Sequence, residues 1–132
     1  MKFKLSILIA FAALFIFFGS SKVCYAQAEE PIAGGYATTD VNDAEVVAAA
    51  KFAVRKQSKK QKATFSLIAI KNAKLQVVAG LNYEVCLQLT SKAKLKSKPV
   101  TQFVKTIVYR DLKNVYSLTS WKILKNENEC GN

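Results

Sequence analysis

Few residues in this sequence are suited to making or breaking bonds. It contains no histidine, which removes the Ser-His and Cys-His arrangements that activate a nucleophile and most zinc sites. The nine acidic residues are scattered, with no pair at metal-ligand or glycosidase spacing. There is no P-loop and no glycine-rich dinucleotide fingerprint. The chain is therefore not read as an enzyme, and no metal or cofactor is expected. What remains is sulfur chemistry at Cys86 and Cys130. A bridge within one chain is open to them, and so is pairing between chains; either needs an oxidising compartment.

The N-terminus supplies that compartment. Met1-Lys2-Phe3-Lys4 is followed by an apolar run over 5–18 and then by GSSKVCYAQ, the pattern of a secretory leader. Cleavage after Ala26 places Cys24 and Ala26 at the small-residue positions. The apolar run falls short of the roughly 18 residues of a spanning helix, which disfavours an uncleaved anchor. Ser21 also stands where a lipoprotein box needs an aliphatic residue. The expectation is a signal peptide over 1–26 and a single domain over 27–132, secreted or held in a secretory-pathway compartment. The whole chain carries a formal charge of +11, and losing Lys2, Lys4 and Lys22 leaves it strongly basic. Such a balance favours acidic partners and is silent on fold.

Residues 27–35 (QAEEPIAGG) are polar and marked by Gly and Pro, so they read as a flexible lead-in. Asn42 followed by Glu45 has capping-box spacing. Val46, Val47, Ala50, Ala53 and Val54 recur at helical period, and Arg55, Lys56, Lys59 and Lys60 suit the negative end of a helix dipole. A helix is predicted over 43–58. The rest reads as strands over 64–76, 81–90, 102–110 and 115–125. Leu81, Tyr83, Val85, Leu87 and Leu89 alternate, which puts Cys86 on the opposite, more polar face.

Strands rarely exceed about 10 residues, so the chain must fold back between Thr64 and Thr90. Lys71-Asn72-Ala73-Lys74 offers ordinary turn chemistry, and Ala79-Gly80-Leu81-Asn82 offers a glycine able to take positive φ. Propensity slightly prefers the first. The second would display Val77, Val78 and Ala79 at a hairpin tip, where apolar residues usually mark a binding surface. From these residues alone, a strand interior with a bulge at Gly80 is the simpler reading.

Gln76-Val77-Val78-Ala79-Gly80 resembles the Q-x-V-x-G first-loop motif of the cystatins, protein inhibitors of papain-like cysteine proteases. Gly34-Gly35 stand before the first strand, as that family's N-terminal glycine does. Ala49-Ala50-Lys51-Phe52-Ala53-Val54 resembles the plant cystatins' L-A-R-F-A-V, and NYEVCLQL resembles the third strand. The ordered set spans almost all of 27–132 and favours the second turn. The family's second-loop Pro-Trp is absent: ungapped alignment puts Asp111-Leu112 there and leaves Trp121 on the following strand as a packing aromatic.

The resemblance implies an α+β, cystatin-like fold, with one long helix packed across a four- to five-stranded antiparallel sheet. It implies reversible occlusion of a papain-like (cathepsin-like) protease cleft. Gly34 and Gly35 would pass the reactive cysteine, Gln76, Val77, Val78, Ala79 and Gly80 would cover the catalytic centre, and Leu112 would touch the primed side. Residues 57–61 (QSKKQ) lack the asparagine that some cystatins use against legumain. A monomer is expected; straightening the first hairpin would give a domain-swapped dimer.

The alternative is a cystatin-fold cationic module that binds anionic membranes or polyanions through Lys92, Lys94, Lys96 and Lys98 without inhibiting a protease. These lysines read better as a solvated loop before Pro99. They lack the aromatic platform of a single-strand binder, so neither nucleic acid nor stable membrane association is expected.

Overall fold

The computed structural model describes residues 34–92 and 98–131. The expected leader, most of the lead-in, Lys94 and Lys96 lie outside the described residues. A short strand β1 (Tyr36–Thr38) leads to the helix α1 (Ala44–Gln61), followed by β2 (Thr64–Val78), β3 (Gly80–Lys92), β4 (Val100–Arg110) and β5 (Tyr116–Leu124). A 3-10 turn over Glu127–Cys130 closes the described chain. The strands form one antiparallel sheet in the order β1-β2-β3-β4-β5. This is the expected α+β architecture, at the upper end of the expected strand count.

The helix begins one residue later than Asn42 would have it. Asp43 is the N-cap, its carboxylate accepting from the backbone N–H of Glu45 and Val46 at 2.8 and 3.3 Å. Asn42 instead donates its own N–H to Asp40 at 2.8 Å. Two Asx side chains therefore make successive turns, and the second meets the free N–H groups of the first helical turn. At the other end the helix outruns the predicted Ser58 to Gln61, where Lys62 closes it in the left-handed conformation at φ 50°. The last-turn lysines Lys59 and Lys60 face the negative end of the dipole.

Val46, Ala49, Ala50, Ala53 and Val54 are buried against Ala73, Tyr83, Val85, Leu87, Leu89, Val104 and Val108. Alanines along the contact stripe let the helix lie close to the sheet, and larger residues of β3 and β4 fill the space on either side. Each fully buried Leu or Val contributes about 1.5–3 kcal/mol. Val47, expected in the stripe, is only half-buried, and Ala49 takes its place. Trp121 packs on Phe65 with ring centroids 5.6 Å apart and borders the core, as a packing aromatic should.

Strand β2 is 15 residues long, well past the usual length. Register shifts at Ile68 and Lys71 interrupt the ladder, and such bulges bend and twist a strand. The Lys71-Asn72-Ala73-Lys74 stretch thus stays inside β2, with a bulge at Lys71 and the next three residues paired to β3. The chain reverses at Ala79, with Val78 opposite Gly80, in the turn that the QVVAG resemblance favours.

Cys86 lies on the sheet face away from the helix, as the alternation predicts, and is bonded to Cys130 with Cα atoms 5.5 Å apart. The pair is buried with Leu124 against Phe103. Asn72 Nδ2 donates to the Cys130 carbonyl at 3.0 Å, and Lys71 pairs with Glu127 at 2.9 Å. The pairing is within one chain.

Candidate functional site: an apolar edge built from two hairpins

The first hairpin turns on a glycine that no other residue replaces. Gly80 has φ +124°, and a Cβ there would meet the Arg110 carbonyl oxygen at 2.5 Å and the Tyr109 ring and hydroxyl at 2.9 Å. Beta-branched or not, an L side chain would have to displace backbone. The same Tyr109 hydroxyl donates to the carbonyl oxygen of Ala79, so β4 holds the tip from behind. Val77 and Val78, 48% and 42% exposed, are thereby displayed on a braced turn.

The second hairpin is caged by one carboxylate. Asp111 Oδ1 accepts from the backbone N–H of Lys113 and of Val115, both at 2.8 Å. Asn114 donates to the Asp111 carbonyl at 3.0 Å and takes positive φ, 62°; both residue types favour such turns. Leu112 at the tip is 82% exposed, the most exposed of the large apolar side chains described. A groove of about 300 Å³ runs between the hairpins, lined by Val77, Val78, Gly80, Leu81, Arg110, Asp111, Leu112 and Asn114.

The N-terminal glycines reach the same edge. Tyr36 pairs with Gln76, Gln76 Nε2 donates to the Gly34 carbonyl at 2.8 Å, and Asn82 Nδ2 donates to Gln76 Oε1 at 2.8 Å. Gly34 has φ +86° with open space around it, while Gly35 leads directly into β1. Across the ladders, Tyr36, Gln76, Asn82 and Tyr109 stand opposite one another on successive strands. They form a polar row immediately behind the apolar tips.

Behind the second hairpin, Arg110 Nη1 lies 2.7 Å from Glu45 Oε1, and the Tyr83 hydroxyl donates to Glu45 Oε2 at 2.8 Å. The Arg110 hydrogen bond, followed by that from Tyr83, holds the Glu45 carboxyl below the usual carboxylate range. Burial, then the bond to Glu45, pushes the Tyr83 hydroxyl well above its ordinary value. The helix start is thus fixed to the last residue of β4.

Of the residues singled out from the sequence, Gly34, Gly35, Gln76, Val77, Val78, Ala79, Gly80 and Leu112 come together at this edge. Cys86 and Cys130 lie elsewhere, on the outer sheet face. The supporting residues Tyr109 and Arg110 were not singled out, and Asn82 and Glu45 were read only as part of a turn and of a helix cap. Asp111 was placed in the second loop without its caging role, although an Asx residue opening a short hairpin signals it.

A helix laid on a five-stranded antiparallel sheet, with two apolar hairpins and a glycine-bearing N-terminal strand at one edge, is the cystatin arrangement. The salivary cystatin of the soft tick Ornithodoros moubata superposes with a TM-score of 0.58 at 21% identity, over 70% of this chain and 99% of that one. Al-CPI superposes with a TM-score of 0.55 at 21% identity, over 69% of this chain and 100% of that one. L-cystatin of Tachypleus tridentatus is 36% identical over 69 residues, 51% of this chain and 52% of that protein. The chain therefore spans about half the length of this curated relative. The family model for SQAPI, described as aspartic acid proteinase inhibitor, matches residues 38–124. The chain belongs to this inhibitor family, and its fold is that of the cystatins.

Proposed function

We propose that the protein is a secreted inhibitor of papain-like cysteine proteases that acts by reversible occlusion. The observation that carries this reading is the convergence of Gly34, the Val77-Val78 tip and Leu112 on one edge, with an apolar groove between the hairpins. In the bound state Gly34 and Gly35 run past the reactive cysteine through the non-primed subsites. Gln76, Val77, Val78, Ala79 and Gly80 cover the catalytic centre, and Leu112 meets the primed side.

The energetics suit such a wedge. Val77, Val78 and Leu112 gain roughly 25 cal/mol for each Å² of apolar surface removed from water. The Tyr109 brace and the Asp111 cage order both tips before binding, which lowers the conformational entropy lost on association. Leu112 offers less contact area than a tryptophan would, and large aromatics often dominate interface energy. The primed side is accordingly the weaker contact.

A second reading, inhibition of an aspartic proteinase, is favoured by the description of the matching family. Parallel titrations of papain and pepsin with the chain from Gln27, beside a Val78→Asp variant, separate the two. Papain inhibition below about 1 μM that Val78→Asp loses supports the first reading. Pepsin inhibition without papain inhibition supports the second.

A further inference from the structure

The end of the sheet away from the hairpins gathers positive charge from two chain segments. Lys59, Lys60 and Lys62 end α1 and are exposed. Lys62 precedes by two residues Thr64, which pairs with Lys92, and Lys98 enters β4 beside this pair, Val100 facing Ser91. Helix-dipole stabilisation accounts for the helix lysines but not for Lys92, the last residue of β3, or Lys98, two residues before β4. Among the described residues the ion pairs are Lys71–Glu127 and Arg110–Glu45, so no carboxylate neutralises this end. Lys56 with Lys60, at i,i+4, adds a repulsion that a bound anion would relieve.

One side of the cluster is concave. A hollow of about 160 Å³ is lined by Gln57, Lys60, Leu118, Thr119, Ser120 and Trp121. Gln57 is 5% exposed. The Trp121 indole N–H is buried with no acceptor among the described residues, where buried donors ordinarily have one. Thr119 is the unmatched residue of a bulge, since Ile107 pairs with Ser120 and Val108 with Leu118. A lysine, a buried amide and an unpaired N–H donor suit a carboxylate or sulfate group.

We propose that this end binds a linear polyanionic polysaccharide, with Lys59, Lys60, Lys62 and Lys92 along its backbone and one acidic group in the hollow beside Gln57 and Trp121. Single-stranded nucleic acid fits less well, because the exposed large aromatic described is Tyr36, at the opposite edge. An anionic membrane fits less well too, because Val100 is the exposed large apolar side chain that adjoins the cluster and insertion needs a broader apolar face. The lysines lie at the end of β2, β3 and β4 far from both hairpins, and the hollow borders residues 118–121 of β5 without including the Val77-Val78 or Leu112 tips, so polysaccharide and protease are held together.

The test is calorimetric titration of the full chain with dextran sulfate, polygalacturonate and neutral dextran over a range of salt. A Lys59→Gln/Lys60→Gln/Lys62→Gln variant is compared with Lys51→Gln/Lys74→Gln/Lys122→Gln, which removes the same charge elsewhere. One or both polyanions should bind and neutral dextran should not, the preferred one showing whether sulfate or carboxylate is read. The first variant should bind about tenfold more weakly or worse, its log K against log salt slope falling by about one per lysine. The second should stay within about twofold of the parent. Trp121→Phe should weaken binding with the salt slope unchanged.

Equal losses in both triple variants would mean diffuse attraction to net charge and overturn the proposal. So would no polyanion binding, or tighter binding of a single-stranded oligonucleotide or of phosphatidylserine vesicles. None of these readouts involves a protease, so the outcome is independent of the inhibitory reading.

Discussion

The guanidinium of Arg110 stands 2.7 Å from the carboxylate of Glu45, joining the first turn of α1 to the residue that opens the second hairpin. Glu45 is half exposed, so the pair is worth on the order of 0.5–1 kcal/mol. Because the folded-state pKa of Glu45 is lowered, its contribution is present above the ordinary carboxylate pKa and lost as pH falls through the lowered value. Glu45→Gln should therefore shift the urea midpoint down at pH 7, with the difference from the parent fading as pH falls below the ordinary carboxylate range. A difference that persisted unchanged in acid would show that the carboxylate charge is not what matters.

At Gly80, alanine should be severe for both fold and function. Positive φ and a Cβ placed 2.5 Å from the Arg110 carbonyl together imply at least about 1–3 kcal/mol of strain, relieved only by moving the tip. Denaturant unfolding should report the lost stability. Papain titration should show binding weakened by about 100-fold or more. Retention of full inhibition would remove this hairpin from the proposed interface.

Gln76 links two parts of the edge, donating to Gly34 and accepting from Asn82. Gln76→Ala should release Gly34 from the first hairpin while the backbone pairing of β1 with β2 stays, weakening inhibition about tenfold while lowering Tm by only a few degrees. Asn82→Ala should act through the same link. The double variant should then lose less than the sum of the two single changes.

Removing the disulfide should separate stability from activity. Its closure of a 44-residue separation is worth about 4 kcal/mol in the chain-entropy account. Cys86→Ser/Cys130→Ser should unfold at markedly lower temperature yet inhibit equally well while folded, because the bond lies on the outer sheet face. Loss of inhibition in a folded variant would place the tail in the functional surface.

The helix, the alternating strands and the apolar first hairpin were all legible in the sequence, because each rests on a local period or a short motif. The position of the reversal was not decided by turn propensity. Lys71 and Asn72 have turn-like composition but lie within β2, Lys71 as a bulge and Asn72 paired with Cys86, and only the ordered resemblance pointed to Ala79. The cap was misplaced by one residue because Asp40, Asn42 and Asp43 all carry capping side chains, and contacts among them decide which one starts the helix. Tyr109 and Arg110 escaped notice because their partners lie far away in sequence: Tyr109 is 30 residues from Ala79 and Arg110 is 65 from Glu45. No local period encodes such contacts.

The position of the Cys86–Cys130 bond has a topological effect. The covalent ring it closes encloses the second hairpin and excludes the first. A protease that nicked the chain near Leu112 would leave both fragments joined through sulfur and the edge intact enough to rebind. A nick at Ala79 would divide the protein into two pieces, β1-α1-β2 and β3-β4-β5, with no covalent connection between them. Against a target able to cut slowly, the durability of the protein is therefore set by the first hairpin, where Gly80 and Tyr109 hold the backbone in place.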